Sequence, residues 1–303
     1  YYHFLRARNQ NSSLFLVTDD QKYIDFFNNC KLEKEISDNC YITLSNCFEK
    51  DVKFNLTKKE ALKIIESKEI KEKDFIIRTN KDFYSFRNIV KEYINFKFIE
   101  NGVDIENIST TYIGPEVNIE KGTKITGDTH IYGKSCIGKN NLISSSYIEN
   151  TNIKDDNKIL NSHIVGAMIG CKNEIGPFCR MRGKAVIDNE CVLGNFVEIK
   201  SSNIKDHVKI KHLSYIGDTF IEKNVNIGCG FVTANYDGKR KYPTTIEENV
   251  FVGCNTTIVS PVTLKENCFI AAGSVITKDV EKNDLAIARS RQINKTNYVK
   301  QKK

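Results

Sequence analysis

The chain reads IEKGTK-ITGDTH-IYGKSC-IGKNNL over residues 119–142, and every block of six opens with an isoleucine. This period matches neither an α-helix, which repeats about every 3.6 residues, nor a single strand, which alternates about every two. It is typical of a parallel β-helix, in which each repeat is one short strand plus a corner and three repeats close a triangular coil. The stretch therefore predicts a solenoid in which every third repeat stacks.

An aliphatic register extends from this stretch in both directions, mostly at intervals of six residues and sometimes of five. A register held over so many repeats argues against an ordinary sandwich. With coils spaced roughly 4.8 Å apart, about nine coils form a prism about 45 Å long. The register positions are Ile113, Ile119, Ile125, Ile131, Ile137, Ile143, Ile148, Ile153, Ile159, Ile164, Ile169, Ile175, Met181, Ile187, Leu193, Ile199, Ile204, Ile210, Ile216, Ile221, Ile227, Ile246, Val252, Ile258, Leu264, Ile270 and Ile276.

The residue two positions before a register residue is often small, as a tight corner requires. This second regularity supports the same fold. Its examples are Thr123, Thr129, Ser135, Cys179, Cys191, Thr256, Cys268 and Ser274.

Composition narrows the function classes. The sequence contains no run of eighteen apolar residues and no signal-peptide core, so no membrane span is expected. The net charge of +7 forms no stripe of arginines interleaved with aromatic residues, so nucleic-acid binding is not expected. A diffuse basic surface suits phosphorylated small molecules.

The first residue is Tyr1 rather than Met, so we expect a part of a longer chain.

Ten cysteines are scattered along the chain without a CxxC pair or a Cys/His cluster. Cys171, Cys229 and Cys254 each follow a register position by two. We interpret them as small wall residues in a reducing cytoplasm, and we expect neither a disulfide framework nor a metal site.

The character of the chain changes before the solenoid. Residues 1–78 alternate short apolar runs such as Asp74–Ile77 with helix-like stretches such as Thr57–Ser67, which predicts a partial α/β segment. Residues 79–105 form a predicted linker containing a helix from Asp82 to Glu100, which Asn101 and Gly102 end. The apolar face of this helix contains Phe83, Phe86, Ile89, Val90, Ile94 and Phe98. Residues 106–303 are the predicted β-helix domain.

The register is disturbed between Thr233 and Ile246, where the interval is thirteen residues instead of six. The additional residues form an excursion that includes Asn235–Lys241. The core of a solenoid needs no such loop, and insertions in repeat proteins collect on a working face. The alternative is a tolerated surface insertion around an Asp-Gly turn.

Arg182 and Lys200 lie eighteen residues apart, one full coil, and each follows a register residue by one. They should therefore be vertical neighbours. Two cations about 5 Å apart repel by about 1 kcal/mol in water and about 3 kcal/mol at an effective dielectric of about 20. An anion between them would reverse that sign, which predicts a phosphate clamp. In the alternative, both side chains extend into solvent.

His212 follows Ile210 by two, so counting places it between Asn195 and Cys229 on one column of the prism. An imidazole can accept a proton from an attacking amine. The alternative is a surface histidine without a function.

Four segments carry a resemblance to a known family: Gly194–Glu198, His212–Asp218, Asn224–Gly228 and Asn235–Gly238. From about Gly176 to Lys303 the chain resembles the acetyltransferase half of the bacterial bifunctional N-acetylglucosamine-1-phosphate uridyltransferase/glucosamine-1-phosphate N-acetyltransferase. The resemblance implies a left-handed β-helix, a homotrimer with sites between subunits, acetyl-CoA as co-substrate and no metal in the acetyl-transfer step. It also implies synthesis of UDP-N-acetylglucosamine for the cell envelope.

The resemblance also implies roles for individual residues. His212 is the general base, and Glu198 helps to orient the site. Asn235 and Tyr236 meet the acetyl thioester, where a backbone N–H can stabilise an oxyanion. Residues that hold glucosamine 1-phosphate are Arg182, Lys200, Tyr215, Asn226 and Lys241. Residues at coenzyme A positions are Cys229, Cys254, Ala272 and Arg289.

Some positions depart from the family pattern. Cys229 and Cys254 stand where Ala and Ser are expected, which should alter affinity for coenzyme A more than chemistry. Gly183 stands where Pro is usual. Asn80 falls on an expected metal-ligand position of the uridyltransferase domain, but the Gly-rich nucleotide loop and the Asp partner for magnesium are missing. Uridyltransferase activity is therefore not expected from this chain.

The sequence thus predicts acetyl transfer from acetyl-CoA to the amine of glucosamine 1-phosphate. Two alternatives stay open: transfer to another amino sugar or amino acid, and a catalytically inactive trimeric scaffold.

Overall fold

The computed structural model describes His3–Asn9, Ser12–Thr18 and residues 80–299. Strands β1 (His3–Asn9) and β2 (Ser12–Thr18) pair antiparallel. The stretches Thr57–Ser67 and Asp74–Ile77 lie outside the described residues. The partial α/β segment and the domain boundaries therefore stay predictions.

Helix α1 (Asn80–Glu100) confirms the predicted helix and begins two residues earlier than predicted. It ends at a turn in which Gly102 has a φ of 88°, a conformation that glycine adopts without a steric penalty. Of the predicted apolar face, Ile94 is buried and Phe98 is half-buried, and the other four side chains are outside the described set. No helix in the described part of the chain is long and apolar enough to span a bilayer.

The predicted fold class, a parallel β-helix of hexapeptide repeats, is confirmed. The coils build three walls of parallel strands, and two long strands, β18 (Val192–Lys200) and β20 (Lys209–Gly217), run through both wall A and wall B.

The other strands of each wall follow in chain order. Wall A contains β3 (Asp104–Ile105), β6 (Lys124–Thr126), β9 (Leu142–Ser144), β12 (Lys158–Leu160), β15 (Glu174–Ile175), β22 (Asn226–Ile227), β25 (Phe251–Val252), β28 (Phe269–Ile270) and β30 (Leu285–Ala286). Wall B contains β7 (Thr129–Tyr132), β10 (Tyr147–Glu149), β13 (His163–Val165), β16 (Arg180–Arg182), β23 (Val232–Ala234), β26 (Thr257–Val259) and β29 (Val275–Ile276). Strand β4 (Thr111–Ile113) comes before these strands in the sequence. Wall C contains β5 (Asn118–Ile119), β8 (Cys136–Ile137), β11 (Asn152–Ile153), β14 (Met168–Ile169), β17 (Val186–Ile187), β19 (Asn203–Ile204), β21 (Thr219–Ile221), β24 (Thr244–Ile246) and β27 (Val262–Leu264).

The register side chains form the core. Every register position that the sequence predicts is buried, and so is Thr233, which takes the place of an aliphatic residue before the excursion. Full burial of an isoleucine side chain contributes about 1.5 to 3 kcal/mol, so one inward residue per strand can stabilise the prism along its length. The small residues two positions earlier are buried as well.

An asparagine ladder occupies the same corner position on three coils, which the sequence analysis missed. Asn157 Nδ2 donates to Asn141 Oδ1 at 3.1 Å, and Asn173 Nδ2 donates to Asn157 Oδ1 at 3.0 Å. The backbone N–H of Cys191 then donates to Asn173 Oδ1 at 2.8 Å. The ladder satisfies the buried amides of Asn157 and Asn173, whereas Nδ2 of Asn141 at its start has no hydrogen-bond partner in the described part of the chain.

Candidate functional site

His212 lies at the corner between wall A and wall B, two residues after Ile210. Its register partner one coil earlier is Asn195. Because Ile210 pairs with Ile227, Cys229 lies one coil later on the same column, as the spacing predicts. The pairings of the following coils extend the column further. We call this set the histidine column: Asn195, His212, Cys229, Cys254 and Ala272.

His212 is exposed, and its Nδ1 lies 2.8 Å from Oδ1 of Asn195. An amide oxygen can only accept, so Nδ1 of the neutral ring donates and the lone pair lies on Nε2. Asn195 therefore fixes the tautomer that can take a proton from a substrate amine.

Arg182 and Lys200 are register partners on adjacent coils of wall B, as the spacing predicts. The alternative in which both side chains extend into solvent is wrong. Arg182 Nε donates to Glu198 Oε1 at 2.7 Å, and Lys200 Nζ donates to Asp218 Oδ2 at 2.8 Å. Lys200 is only 12% exposed, and the Asp218 carboxylate one coil later compensates its charge.

The ionisation of the lysines reflects these contacts. The Asp218 carboxylate raises the pKa of Lys200 through their hydrogen bond. The neighbouring Lys200 ammonium lowers the pKa of Lys241, both by direct contact and by charge. Two ammonium groups close enough to influence each other form a region that favours an anion.

Tyr215 is the register partner of Glu198 and lies on the same wall. Its ring covers Gly217: a Cβ at that glycine would lie 2.6 Å from the Tyr215 hydroxyl. The glycine therefore lets the ring lie against the backbone of wall B. Asn226 is different, because it precedes Ile227 on wall A. The predicted sugar-phosphate residues consequently stand on two walls.

The excursion is an ordered hairpin with a bridge between Tyr236 and Lys241. Asp237 organises it, because its Oδ1 accepts the backbone N–H groups of Lys239 at 2.7 Å and Arg240 at 2.6 Å. Its Oδ2 accepts the hydroxyl of Tyr242 at 2.9 Å. These donors, the Arg240 N–H first, lower the pKa of Asp237.

The predicted coenzyme A residues come together along the histidine column. The backbone of each following coil lies close: a Cβ at Gly228 would lie 2.6 Å from Cys254 N, and one at Gly253 would lie 2.5 Å from Ala272 N. Arg289 is at the later end of the column, with its Cδ 3.8 Å from the Cβ position of Gly273. The column thus offers a narrow, backbone-lined strip after His212.

Two corners divide the predicted site within one chain. His212 and the coenzyme A positions lie at the corner between walls A and B. The excursion begins at Asn235, where the chain leaves wall B at the corner between walls B and C. Asn195 and Lys200 are five residue steps apart, so the chain between them spans at most about 18 Å across wall B. Asn235 and Tyr236, which are predicted to meet the thioester, therefore stand across wall B from His212.

An exposed apolar corner follows the histidine column, and the sequence analysis missed it. Phe178, Phe196 and Leu213 are 56%, 55% and 56% exposed, and the two phenyl rings stack at 5.3 Å. All three have positive φ angles of 61°, 57° and 43°, which favour Gly or Asn. A large apolar residue at such a position is the signal that could have revealed this patch.

Comparisons with known proteins agree with the resemblance. The family described as bacterial transferase hexapeptide (six repeats) matches residues 243–278. The bifunctional protein GlmU of Staphylococcus haemolyticus (strain JCSC1435) is 42% identical over 212 residues, which cover 70% of this chain and 47% of that protein. GlmU of Geobacillus sp. (strain WCH70) is 45% identical over 212 residues, which cover 70% of this chain and 46% of that protein.

The chain therefore spans about half the length of the curated relatives it matches. Among solved structures, the UDP-N-acetylglucosamine acyltransferase LpxA from Bacteroides fragilis 9343 is 18% identical, with a TM-score of 0.42 over 57% of this chain and 70% of that chain. The predicted resemblance to the bifunctional enzyme is confirmed by the two relatives and the hexapeptide match.

Proposed function

We propose that this chain transfers the acetyl group of acetyl-CoA to the C2 amine of glucosamine 1-phosphate. The observation that carries the proposal is the histidine column: His212 is held by Asn195 in the tautomer of a general base. The same column continues through Cys229, Cys254 and Ala272, the positions where the resemblance implies coenzyme A.

In the proposed reaction the amine nitrogen attacks the thioester carbonyl carbon while His212 Nε2 takes a proton from nitrogen. The C–N bond forms, and the carbonyl π electrons move to oxygen. A backbone N–H near Asn235 or Tyr236 stabilises that oxyanion. The intermediate collapses with cleavage of the C–S bond, and the imidazolium returns its proton to the thiolate of coenzyme A. Products are N-acetylglucosamine 1-phosphate and coenzyme A.

Arg182, Lys200 and Lys241 bind the sugar phosphate in this proposal. The Lys200 side chain lowers the pKa of Lys241 in the free protein, the direction expected where two cations lie near each other. A phosphate dianion between them relieves that repulsion and adds charge-assisted hydrogen bonds. Tyr215 and Asn226 complete the sugar site.

The working assembly is a homotrimer. Asn226 stands on wall A whereas Lys200 stands on wall B, and the excursion lies across wall B from His212, so one chain leaves the site divided. The apolar corner of Phe178, Phe196 and Leu213 gives a second copy of this chain a surface to cover. Closed threefold symmetry is what the resemblance implies. A cytoplasmic role in UDP-N-acetylglucosamine and cell-envelope synthesis follows from the same proposal.

A thiol-release assay with acetyl-CoA and a panel of amino sugars, their 1-phosphates and amino acids tests the proposal. We expect release with glucosamine 1-phosphate and much less with free glucosamine. Greater release with another amine would assign a different acceptor. Absence of release with every amine would leave a binding scaffold and contradict the enzyme proposal.

A further inference from the structure

Asp218 forms hydrogen bonds with three residues that are distant in sequence: Lys200, Asn235 and Thr244. Its Oδ2 accepts Lys200 Nζ at 2.8 Å and Asn235 Nδ2 at 2.7 Å. Its backbone N–H donates to the carbonyl of Lys200 at 2.9 Å, and its own carbonyl accepts the N–H of Thr244 at 3.3 Å. No role for Asp218 follows from the acetyl-transfer chemistry described above.

These contacts tie down both ends of the excursion. Asn235 is the residue at which the chain leaves wall B, and Thr244 is the residue at which it joins wall C. Thr244 is also the register partner of Thr219, the residue after Asp218. The side chain of Asp218 therefore holds the first end of the excursion, and its backbone holds the second.

The same carboxylate orients the phosphate clamp. Asp218 is 26% exposed and Lys200 is 12% exposed, so this pair is better shielded from water than the Arg182–Glu198 pair, at 39% and 30%. An ammonium has three donors, so Lys200 can keep Asp218 while it binds a phosphate. Glu198 pairs with Arg182 in a comparable way, but the contacts of its carboxylate are with Arg182 and not with the excursion.

We infer that Asp218 is a positioning residue that couples the sugar-phosphate clamp to the excursion that meets the thioester, an inference that rests on the proposed function. Phosphate binding holds the Lys200 side chain in place, and Lys200 in turn holds the Asp218 carboxylate through their hydrogen bond. Asp218 then holds the side chain of Asn235, the residue before Tyr236. Coupling between two sites is reciprocal, so coenzyme A and the sugar phosphate should each tighten the binding of the other.

Asp218→Asn is the informative variant. Asp218 has a φ of 51°, which asparagine tolerates well, so the exchange removes the charge without straining the backbone. Glu198→Gln is the matched control, because it removes a carboxylate charge from Arg182 and leaves the excursion untouched. Both variants should unfold at temperatures close to that of the unmodified protein.

The experiment measures the Kd of glucosamine 1-phosphate by calorimetry with and without saturating coenzyme A, which carries no acetyl group and cannot react. In the unmodified protein, coenzyme A should tighten the sugar phosphate by about fivefold or more. In Asp218→Asn the ratio should fall towards one, whereas Glu198→Gln should weaken the sugar phosphate and keep the ratio. An unmodified protein without coupling, or a ratio unchanged in Asp218→Asn, would overturn the inference.

Hydrogen exchange of the ligand-free protein separates this inference from the proposed function. Asp218→Asn should accelerate exchange of the Tyr242 amide, which donates to the Asn235 carbonyl at 2.9 Å. Asp218→Asn keeps an acceptor oxygen but loses the charge that strengthens the hydrogen bond, whereas Asn235→Ala removes the donor and should accelerate exchange further. If glucosamine 1-phosphate does not bind but exchange accelerates, the proposed function fails while the positioning role of Asp218 stands. Unchanged exchange in both variants would remove that role.

Discussion

Asn195 and His212 stand one coil apart on the same corner of the β-helix, and a hydrogen bond of 2.8 Å joins Oδ1 of the amide to Nδ1 of the ring. The bond orients an exposed imidazole that would otherwise rotate freely. It also stabilises the imidazolium that forms when Nε2 takes a proton. Asn195 is thus expected to act through His212.

Asn195→Ala should lower kcat roughly tenfold, because a hydrogen bond to a group that becomes charged contributes about 1.5 kcal/mol or more. The KM values for both substrates should change little, since Asn195 is not expected to contact either. Steady-state kinetics check this, with Asn152→Ala on wall C as the matched control. A kcat equal to that of the control would mean that Asn195 does not orient the base.

Lys200→Ala should weaken glucosamine 1-phosphate by about 1.5 to 3 kcal/mol, roughly 10- to 150-fold, because a charge-assisted hydrogen bond is lost. The KM of acetyl-CoA should rise far less, and the preference for glucosamine 1-phosphate over free glucosamine should shrink. The variant should not gain stability, because Lys200 is paired with Asp218 in the free protein. The two KM values and the melting temperature provide the test, and an unchanged sugar-phosphate KM would rule out the clamp.

Acetyl-CoA should protect Cys229 and Cys254 from alkylation. Cys254 is exposed and Cys229 is half-buried, so both are accessible in the free protein. Cys136 on wall C is exposed and serves as the internal control. Burial raises the pKa of Cys179 to about 12, so this thiol should stay unlabelled throughout. Labelling followed by peptide mass mapping measures each site, and equal protection of Cys136 would argue against a coenzyme A site on the histidine column.

The order of the excursion should depend on pH through Asp237. Hydrogen bonds from the Arg240 and Lys239 N–H groups lower the pKa of this carboxyl below its ordinary value of 3.8. A carboxyl whose pKa is lowered by folding stabilises the folded state at any pH above its ordinary pKa. That stabilisation is lost as the pH falls from the ordinary pKa through the lowered pKa. Protection of the Lys239 and Arg240 amides from hydrogen exchange should therefore decrease below pH 3.8.

Asp237→Asn is the control for the pH experiment. Its amide does not titrate in this range, so the protection of the Lys239 and Arg240 amides should be weaker than in the unmodified protein and independent of pH. The same acid dependence in this variant would assign the titration to another group.

The sequence was sufficient for the topology because a β-helix turns one inward residue per strand towards the core. All the aliphatic register positions are buried, and counting in units of one coil correctly made Arg182 a neighbour of Lys200 and Asn195 a neighbour of His212. Counting could also have placed Asn226 and Lys200 on different walls, since Asn226 precedes Ile227 on wall A and Lys200 follows Ile199 on wall B.

Counting could not reveal where long side chains point. Register places Lys200 opposite Gly217, and the side chain instead reaches the next residue, Asp218. The asparagine ladder was missed because the corner position was expected to favour small residues, whereas amides on successive coils can occupy it by hydrogen bonding to each other. The apolar corner was missed because the counting was not extended to the position three residues after a register residue, where Phe178, Phe196 and Leu213 have positive φ angles.

The most direct test of the proposed acetyl transfer is the turnover of His212→Ala with acetyl-CoA and glucosamine 1-phosphate. We expect acetyl transfer to fall about 10²- to 10⁴-fold, the usual contribution of a general base, while the trimer and the Kd of the sugar phosphate stay unchanged. His207→Asn, which alters an exposed histidine at another corner, should retain full activity. Near-normal turnover of His212→Ala would exclude His212 as the general base.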